Sequence, residues 1–210
     1  MVMNGKCFIF GALPVVYYPI KPQEGDLVIA ADRGYDVALS LGVKPDLTVG
    51  DFDSLGEAPD AENVIRLEVR KDDTDVGHAV ELGFQRGFTD FVIYGAVGGL
   101  LDHTVANIAI ALDIAVRGGR AWFLSEEFCF TVLHNAALEL HERESGRVSV
   151  FALSDIARGV SIEGLDYEAR GLDLPRTSHM GVSNAFIGKP SRISVTDGDL
   201  LIMIQSKAEC

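Results

Sequence analysis

The chain has 210 residues, 48% of them hydrophobic and 23% charged, which excludes an intrinsically disordered chain and allows one large domain or two small ones. Its formal net charge of −13 argues against nucleic acid or an anionic membrane as the main partner, because both need a basic surface. An anionic substrate fits that charge only where local cations or a bound metal reverse the field.

In chain order, Lys6 to Phe10 and Leu27 to Ala31 are continuous apolar runs, the pattern of strands buried on both faces. No basic stretch precedes the first run and no cleavage pattern follows it, so it does not read as a signal peptide. A helix is predicted over Gly34 to Leu41, a strand over Asp46 to Gly50 and another over Asn63 to Leu67. Val76, Ala79, Val80, Gly83 and Phe84 recur at helical spacing behind Thr74 or Asp75 as N-cap. Phe91 to Tyr94 is a further buried strand. A second amphipathic helix follows, through Val105, Ile108, Ala109, Leu112 and Val116, opened by Asp102 and closed at Gly118 and Gly119. Asn107 and Asp113 interrupt this apolar stretch, which is too short to span a bilayer. Ala121 to Leu124 is the next strand.

Such alternation predicts an α/β fold, a Rossmann-like parallel sheet with flanking helices. From about Thr131 the helical periodicity fades, and short β-like runs (Val148 to Ala152, Ala185 to Ile187, Ile193 to Val195, Leu200 to Ile204) stand between Gly, Asp, Ser and Pro. That is the pattern of a small C-terminal antiparallel β-sandwich or barrel. The expected division is residues 1–130 and 131–210. Cys7, Cys129 and Cys210 share no metal-type spacing, and reduced thiols in a cytoplasmic protein are the simplest reading.

Polar clusters stand where strands end. In Gly50-Asp51-Phe52-Asp53-Ser54, carboxylates at i and i+2 can aim at one hard cation such as Mg²⁺, or the segment is a polar loop capping a helix. In Lys71-Asp72-Asp73-Thr74-Asp75, acids at a helix start either cap it or take part in a metal and phosphate site, with Lys71 facing phosphate. Gly95 through Gly99, ahead of Asp102 and His103, lets backbone approach a ligand at a helix N-terminus, although it is neither a P-loop nor the dinucleotide fingerprint. A lone histidine such as His103 is more often a packed residue than a catalyst. With Ala31-Asp32-Arg33-Gly34 as a fourth strand-end motif, the set favours metal-assisted phosphate chemistry, since ligands of open parallel sheets bind beyond the carboxyl ends of the strands.

In this order and spacing the motifs resemble the thiamine pyrophosphokinase (thiamine diphosphokinase) family. The resemblance rests on Asp32-Arg33-Gly34, Pro45-Asp46, Gly50 to Ser54, Lys71 to Asp75, Gly98-Gly99 through Asp102-His103 with Asn107, and Gly181-Val182-Ser183-Asn184. It implies a transferase that moves the pyrophosphoryl group of ATP to thiamine with Mg²⁺, an α/β domain for ATP, and a β-sandwich that helps hold thiamine. It also implies a cytoplasmic homodimer with thiamine between subunits. Carried over by position, Asp51, Asp53, Asp72, Asp75 and Asp102 form the catalytic set, and the first four hold the metal. Asp32, Arg33, Gly34, Lys71, Thr74, Gly98, Gly99 and His103 surround the nucleotide, and Ser183 and Asn184 lie near thiamine.

The chain departs from the family in three places. Leu100 stands where Arg usually follows the Gly-Gly pair, and a leucine cannot clamp phosphate as a guanidinium does. Arg33 occupies a position that is often Gly and is the candidate replacement cation, along with Lys71 or Arg70. The only tryptophan is Trp122, which leaves Tyr167 and His179 as candidates to stack on thiamine. Two other readings use the same residues: a metal-dependent phosphohydrolase, and a nucleotide or thiamine sensor that has lost turnover.

Overall fold

The fold is that of a computed structural model, which describes residues 5–51, 63–66 and 74–205. It is mixed α/β and divides into two compact units. One comprises Met1–Ile110 and Ala121–Glu126, the other Ala111–Arg120 and Glu127–Cys210.

In the first unit the strands are β1 (Cys7–Phe10), β2 (Leu27–Ala31), β3 (Leu47–Gly50), β4 (Val64–Arg66), β5 (Asp90–Tyr94) and β6 (Arg120–Leu124). They lie in the order β6-β5-β1-β2-β3-β4. The pairs β1–β2, β1–β5, β2–β3 and β3–β4 are parallel, with Ile9 opposite both Ile29 and Ile93. Every residue of β1, β2 and β3 is buried, so their apolar runs need no alternation. From β1 the chain steps outward to β4 on one side and returns to β5 on the other. The order therefore reverses between β1 and β5, the place where open parallel sheets bind ligands at their carboxyl ends.

Three helices accompany these strands: α1 (Gly34–Ser40), α2 (Asp75–Gln85) and α3 (Leu101–Val116). Helix α1 starts tight against β1, because a Cβ at Gly34 would overlap the Phe10 carbonyl oxygen. Thr74 is the N-cap of α2 and its side-chain oxygen accepts from the Gly77 N–H at 3.1 Å. Behind that cap Gly77, Ala79, Val80 and Gly83 form the buried face. No helix among the described residues is long and apolar enough to cross a membrane.

The second unit carries the antiparallel strands β7 (Cys129–His134), β8 (Ala137–Leu140), β9 (Arg147–Ala152), β10 (Ile156–Glu163), β11 (Ala169–Pro175), β12 (Asn184–Ala185), β13 (Ser191–Ser194) and β14 (Asp199–Gln205). They pair in the orders β12-β9-β14-β7 and β11-β10-β13-β8. Strand β14 contributes buried Leu200, Leu201, Ile202 and Ile204 between β7 and β9.

The strand expected over Ala185 to Ile187 is shorter: only Asn184 and Ala185 pair in β12, while Phe186 forms an isolated bridge with Leu165. Cys7 is a buried free thiol whose burial pushes its pKa up, away from reactivity. Cys129 is buried in β7.

Candidate active site

The carboxyl ends of the parallel strands enclose a cavity of about 350 Å³ in the first unit. Gly11, Ala12 and Leu13 line it just beyond β1, and Ala31 and Asp32 at the end of β2. Thr74, Asp75 and Val76 contribute from the start of α2. Gly95, Ala96, Gly98 and Leu100 come from the turn after β5, and His103 and Asn107 from α3. The volume falls in the range of small-molecule sites.

Local chemistry shapes each wall. Asp32 leaves β2 in the left-handed region at φ 50°, rare for a residue with a Cβ and worth about 1–3 kcal/mol of strain. Its N–H donates to the Val49 carbonyl at 2.8 Å, which ties the end of β2 to β3 immediately before Asp51. Gly95 turns the chain out of β5 at φ 66°, and a Cβ there would meet the carbonyl oxygens of Gly11 and Leu13. The Asn107 side-chain amide donates to the Ala96 carbonyl, pinning the turn to α3. At the start of α3 the Asp102 carboxylate accepts from the His103 N–H at 2.9 Å, and the Thr104 hydroxyl donates to the Leu100 carbonyl at 3.3 Å.

The charge balance of the cavity is one-sided. Asp32 and Asp75 are carboxylates, and no Lys or Arg is among the described residues that line it. Oxygen donors of this kind suit a hard cation such as Mg²⁺, and an anionic ligand can share the space with them only if positive charge accompanies it. Among the described residues no three of Asp, Glu, His or Cys stand close enough together to hold a metal ion; Asp32 and Asp75 line the cavity and Asp51 stands one residue past β3.

Of the residues singled out in the sequence, Asp32, Thr74, Asp75, Gly98 and His103 line the cavity. Asp51 is half-buried directly after β3, and Asp102 is exposed in the first turn of α3. Arg33 is exposed at the N-cap of α1, outside the cavity lining. Gly34 serves the packing of α1 on β1. Gly99, at φ 62°, sits against the Leu13 side chain, which a Cβ would meet at 3.0 Å. Asp53, Lys71 and Asp72 lie outside the described residues. Sequence reading missed Gly11, Ala12, Leu13 and Val76; the available signal was Gly11, a glycine immediately after a buried strand.

Ser183 and Asn184 belong to the second unit. Asn184 is buried, and its amide is committed to the chain itself. The Oδ1 accepts from the N–H groups of Tyr167 and Ala185, each at 2.9 Å, while Nδ2 donates to the Tyr167 carbonyl at 2.7 Å. Asn184 therefore fixes the backbone of Tyr167, whose residue is 70% exposed. Ser183 is exposed in the left-handed region at φ 62°, and its N–H donates to the Ser149 hydroxyl at 3.1 Å.

Comparison with known proteins gives a consistent result. Residues 22–122 match the family model described as thiamin pyrophosphokinase, catalytic domain. The chain is 25% identical over 193 residues to the thiamine pyrophosphokinase of Bacillus subtilis (strain 168), covering 88% of this chain and 89% of the relative. The crystal structure of the thiamine pyrophosphokinase from Bacillus subtilis superposes with a TM-score of 0.83 at 22% identity, over 97% of this chain and 100% of that one. Thiamin pyrophosphokinase from Candida albicans superposes with a TM-score of 0.79 at 16% identity, over 96% of this chain and 89% of the other.

Proposed function

We propose that this chain, which belongs through residues 22–122 to the thiamin pyrophosphokinase family, transfers the pyrophosphoryl group of ATP to the hydroxyl of thiamine, giving thiamine diphosphate and AMP. The observation that carries the reading is the cavity at the sheet's reversal point, lined by Asp32 and Asp75, whose walls other than Gly11, Ala12 and Leu13 come from residues that match the family. The reaction is attack by the thiamine hydroxyethyl oxygen on the β-phosphorus of ATP, in line with the departing AMP.

Asp51, Asp53, Asp72 and Asp75 would hold Mg²⁺, which when bound would neutralise charge on the phosphate oxygens, with Asp32 beside the nucleotide. Gly98, the turn after β5 and the start of α3 offer backbone amides to the phosphates. His103 lines the same wall, and Thr74 keeps α2 capped so that Asp75 stays at the cavity. Arg33, exposed at the N-cap of α1, and Lys71 are the candidate cations in place of Leu100, since no Lys or Arg is among the described residues that line the cavity. Asp75 and Asp102 are the two carboxylates available to take the hydroxyl proton.

A division of labour belongs to the same proposal. Residues 1–130 form a Rossmann-like nucleotide domain, supported by the parallel order β5-β1-β2-β3. Residues 131–210 form a β-sandwich that helps hold thiamine, with Ser183 and Asn184 near it and Tyr167 presented by Asn184. The active form is a cytoplasmic homodimer with thiamine at the subunit interface.

Leu100 on the cavity wall favours one rival, a sensor that binds without turnover. The test is nucleotide breakdown with and without thiamine. AMP released only when thiamine is present supports the transferase. Phosphate released without thiamine indicates a hydrolase, and binding of Mg-ATP with no product indicates a sensor.

A further inference from the structure

The connection between β1 and β2 runs from Gly11 to Asp26 with no helix or strand of its own. Its first residues, Gly11, Ala12 and Leu13, form one wall of the cavity. A long irregular segment beside a binding site keeps its shape only if something holds it.

Two sets of hydrogen bonds do so, and both lead to the end of β5. At the near end the Gly11 N–H donates to the Tyr94 carbonyl at 2.8 Å, and the Leu13 N–H donates to the Gly95 carbonyl at 2.9 Å. Farther along, the Tyr94 hydroxyl donates to the Ile20 carbonyl at 3.0 Å and accepts from the Ile20 N–H at 3.1 Å. One side chain thus satisfies both backbone groups of a single loop residue. The Tyr94 ring cannot drift, because it is fully buried, stacked on Phe10 at 5.7 Å and met edge-on by Tyr18 at 5.1 Å. Burial also pushes the pKa of the Tyr94 hydroxyl up, so the proton it donates stays in place.

We propose that the Tyr94 hydroxyl is a positioning group for nucleotide binding, clamping the β1–β2 connection at Ile20 so that Ala12 and Leu13 stand ready as a cavity wall. The proposal rests on the reading that this cavity takes Mg-ATP. Tyr18 provides an internal control. Its ring packs in the same cluster, but its buried hydroxyl has no hydrogen-bond partner among the described residues. Removing that oxygen therefore leaves the clamp intact.

The experiment measures the Kd for Mg-ATP by calorimetry without thiamine, on the full unaltered chain, Tyr94→Phe and Tyr18→Phe. Tyr94→Phe keeps the ring and its packing. If the wall is then in place about a tenth of the time, the apparent Kd rises about tenfold. In the same variant the amides of Ala12, Leu13 and Ile20 exchange faster, while those of Phe8 and Ile9 keep their protection and report an intact fold. Turnover at saturating ATP and the KM for thiamine stay unchanged in both variants, and Tyr18→Phe binds Mg-ATP as the unaltered chain does. Unaltered binding by Tyr94→Phe overturns the proposal, as does equal weakening by Tyr18→Phe, which would assign the effect to ring packing. Failure of the unaltered chain to bind Mg-ATP would instead sink the functional reading beneath it.

Discussion

Replacing Leu100 with arginine tests whether the cavity is short of positive charge. Leu100 lines the cavity between the glycine turn and α3, and it is 66% exposed, so little packing is lost when it changes. A charge-assisted hydrogen bond to phosphate is worth about 1.5–3 kcal/mol, and this exposure selects the lower end. About 1.4 kcal/mol is tenfold in affinity, so the ceiling is a gain of about tenfold for Mg-ATP. Asp32 and Asp75 line the same space and compete for the guanidinium before the nucleotide arrives, which reduces the net gain to about three- to fivefold. Leu100→Arg is therefore expected to lower the Kd for Mg-ATP by that factor and to leave turnover unchanged. The melting temperature should shift by no more than about 2 °C, since surface changes cost within about 0.5 kcal/mol. Calorimetric titration with Mg-ATP at low and high salt is the assay, and the gain should shrink at high salt as screening increases. Equal or weaker binding by a folded Leu100→Arg chain would refute the idea that the cavity lacks a cation.

Asp51→Asn should abolish turnover and leave melting unchanged, and near-normal activity at saturating Mg²⁺ would remove Asp51 from the metal set. Arg33→Ala should weaken Mg-ATP use by about tenfold if its guanidinium reaches phosphate; unchanged kinetics would assign Arg33 to the surface only. Thr74→Ala removes the cap of α2 and should cost about 1 kcal/mol, lowering the melting temperature by about 2–4 °C while Thr74→Ser restores it. Asn184→Ala frees the Tyr167 backbone and should raise the KM for thiamine without changing that for ATP, whereas an equal rise in both would detach Asn184 from thiamine binding.

The first unit was legible because β1, β2 and β3 are buried along their whole length and α2 keeps a clear period. Leu27 to Ala31 is β2 to the residue, and of the two caps expected for α2, Thr74 and Asp75, Thr74 is the one formed. The second unit was harder. Strand β10 (Ile156–Glu163) was missed because Arg158 and Gly159 interrupt its alternation where the pairing with β11 shifts register. Strand β11 (Ala169–Pro175) carries Arg170, Gly171 and Asp173 and has little apolar pattern to read. Among the site residues, polar clusters at strand ends pointed to Asp32, Asp75 and His103. The wall made by Ala12 and Leu13 left no such mark, since these small and apolar residues are held at the cavity by backbone bonds from Gly11 and Leu13 to the Tyr94 and Gly95 carbonyls.

The most direct measurement incubates the chain with thiamine, Mg²⁺ and ATP labelled at its terminal phosphate, and follows the label by chromatography. Intact pyrophosphoryl transfer places the label in thiamine diphosphate and yields an equal amount of unlabelled AMP. Label in inorganic phosphate, or in thiamine monophosphate with ADP as the second product, would contradict the account.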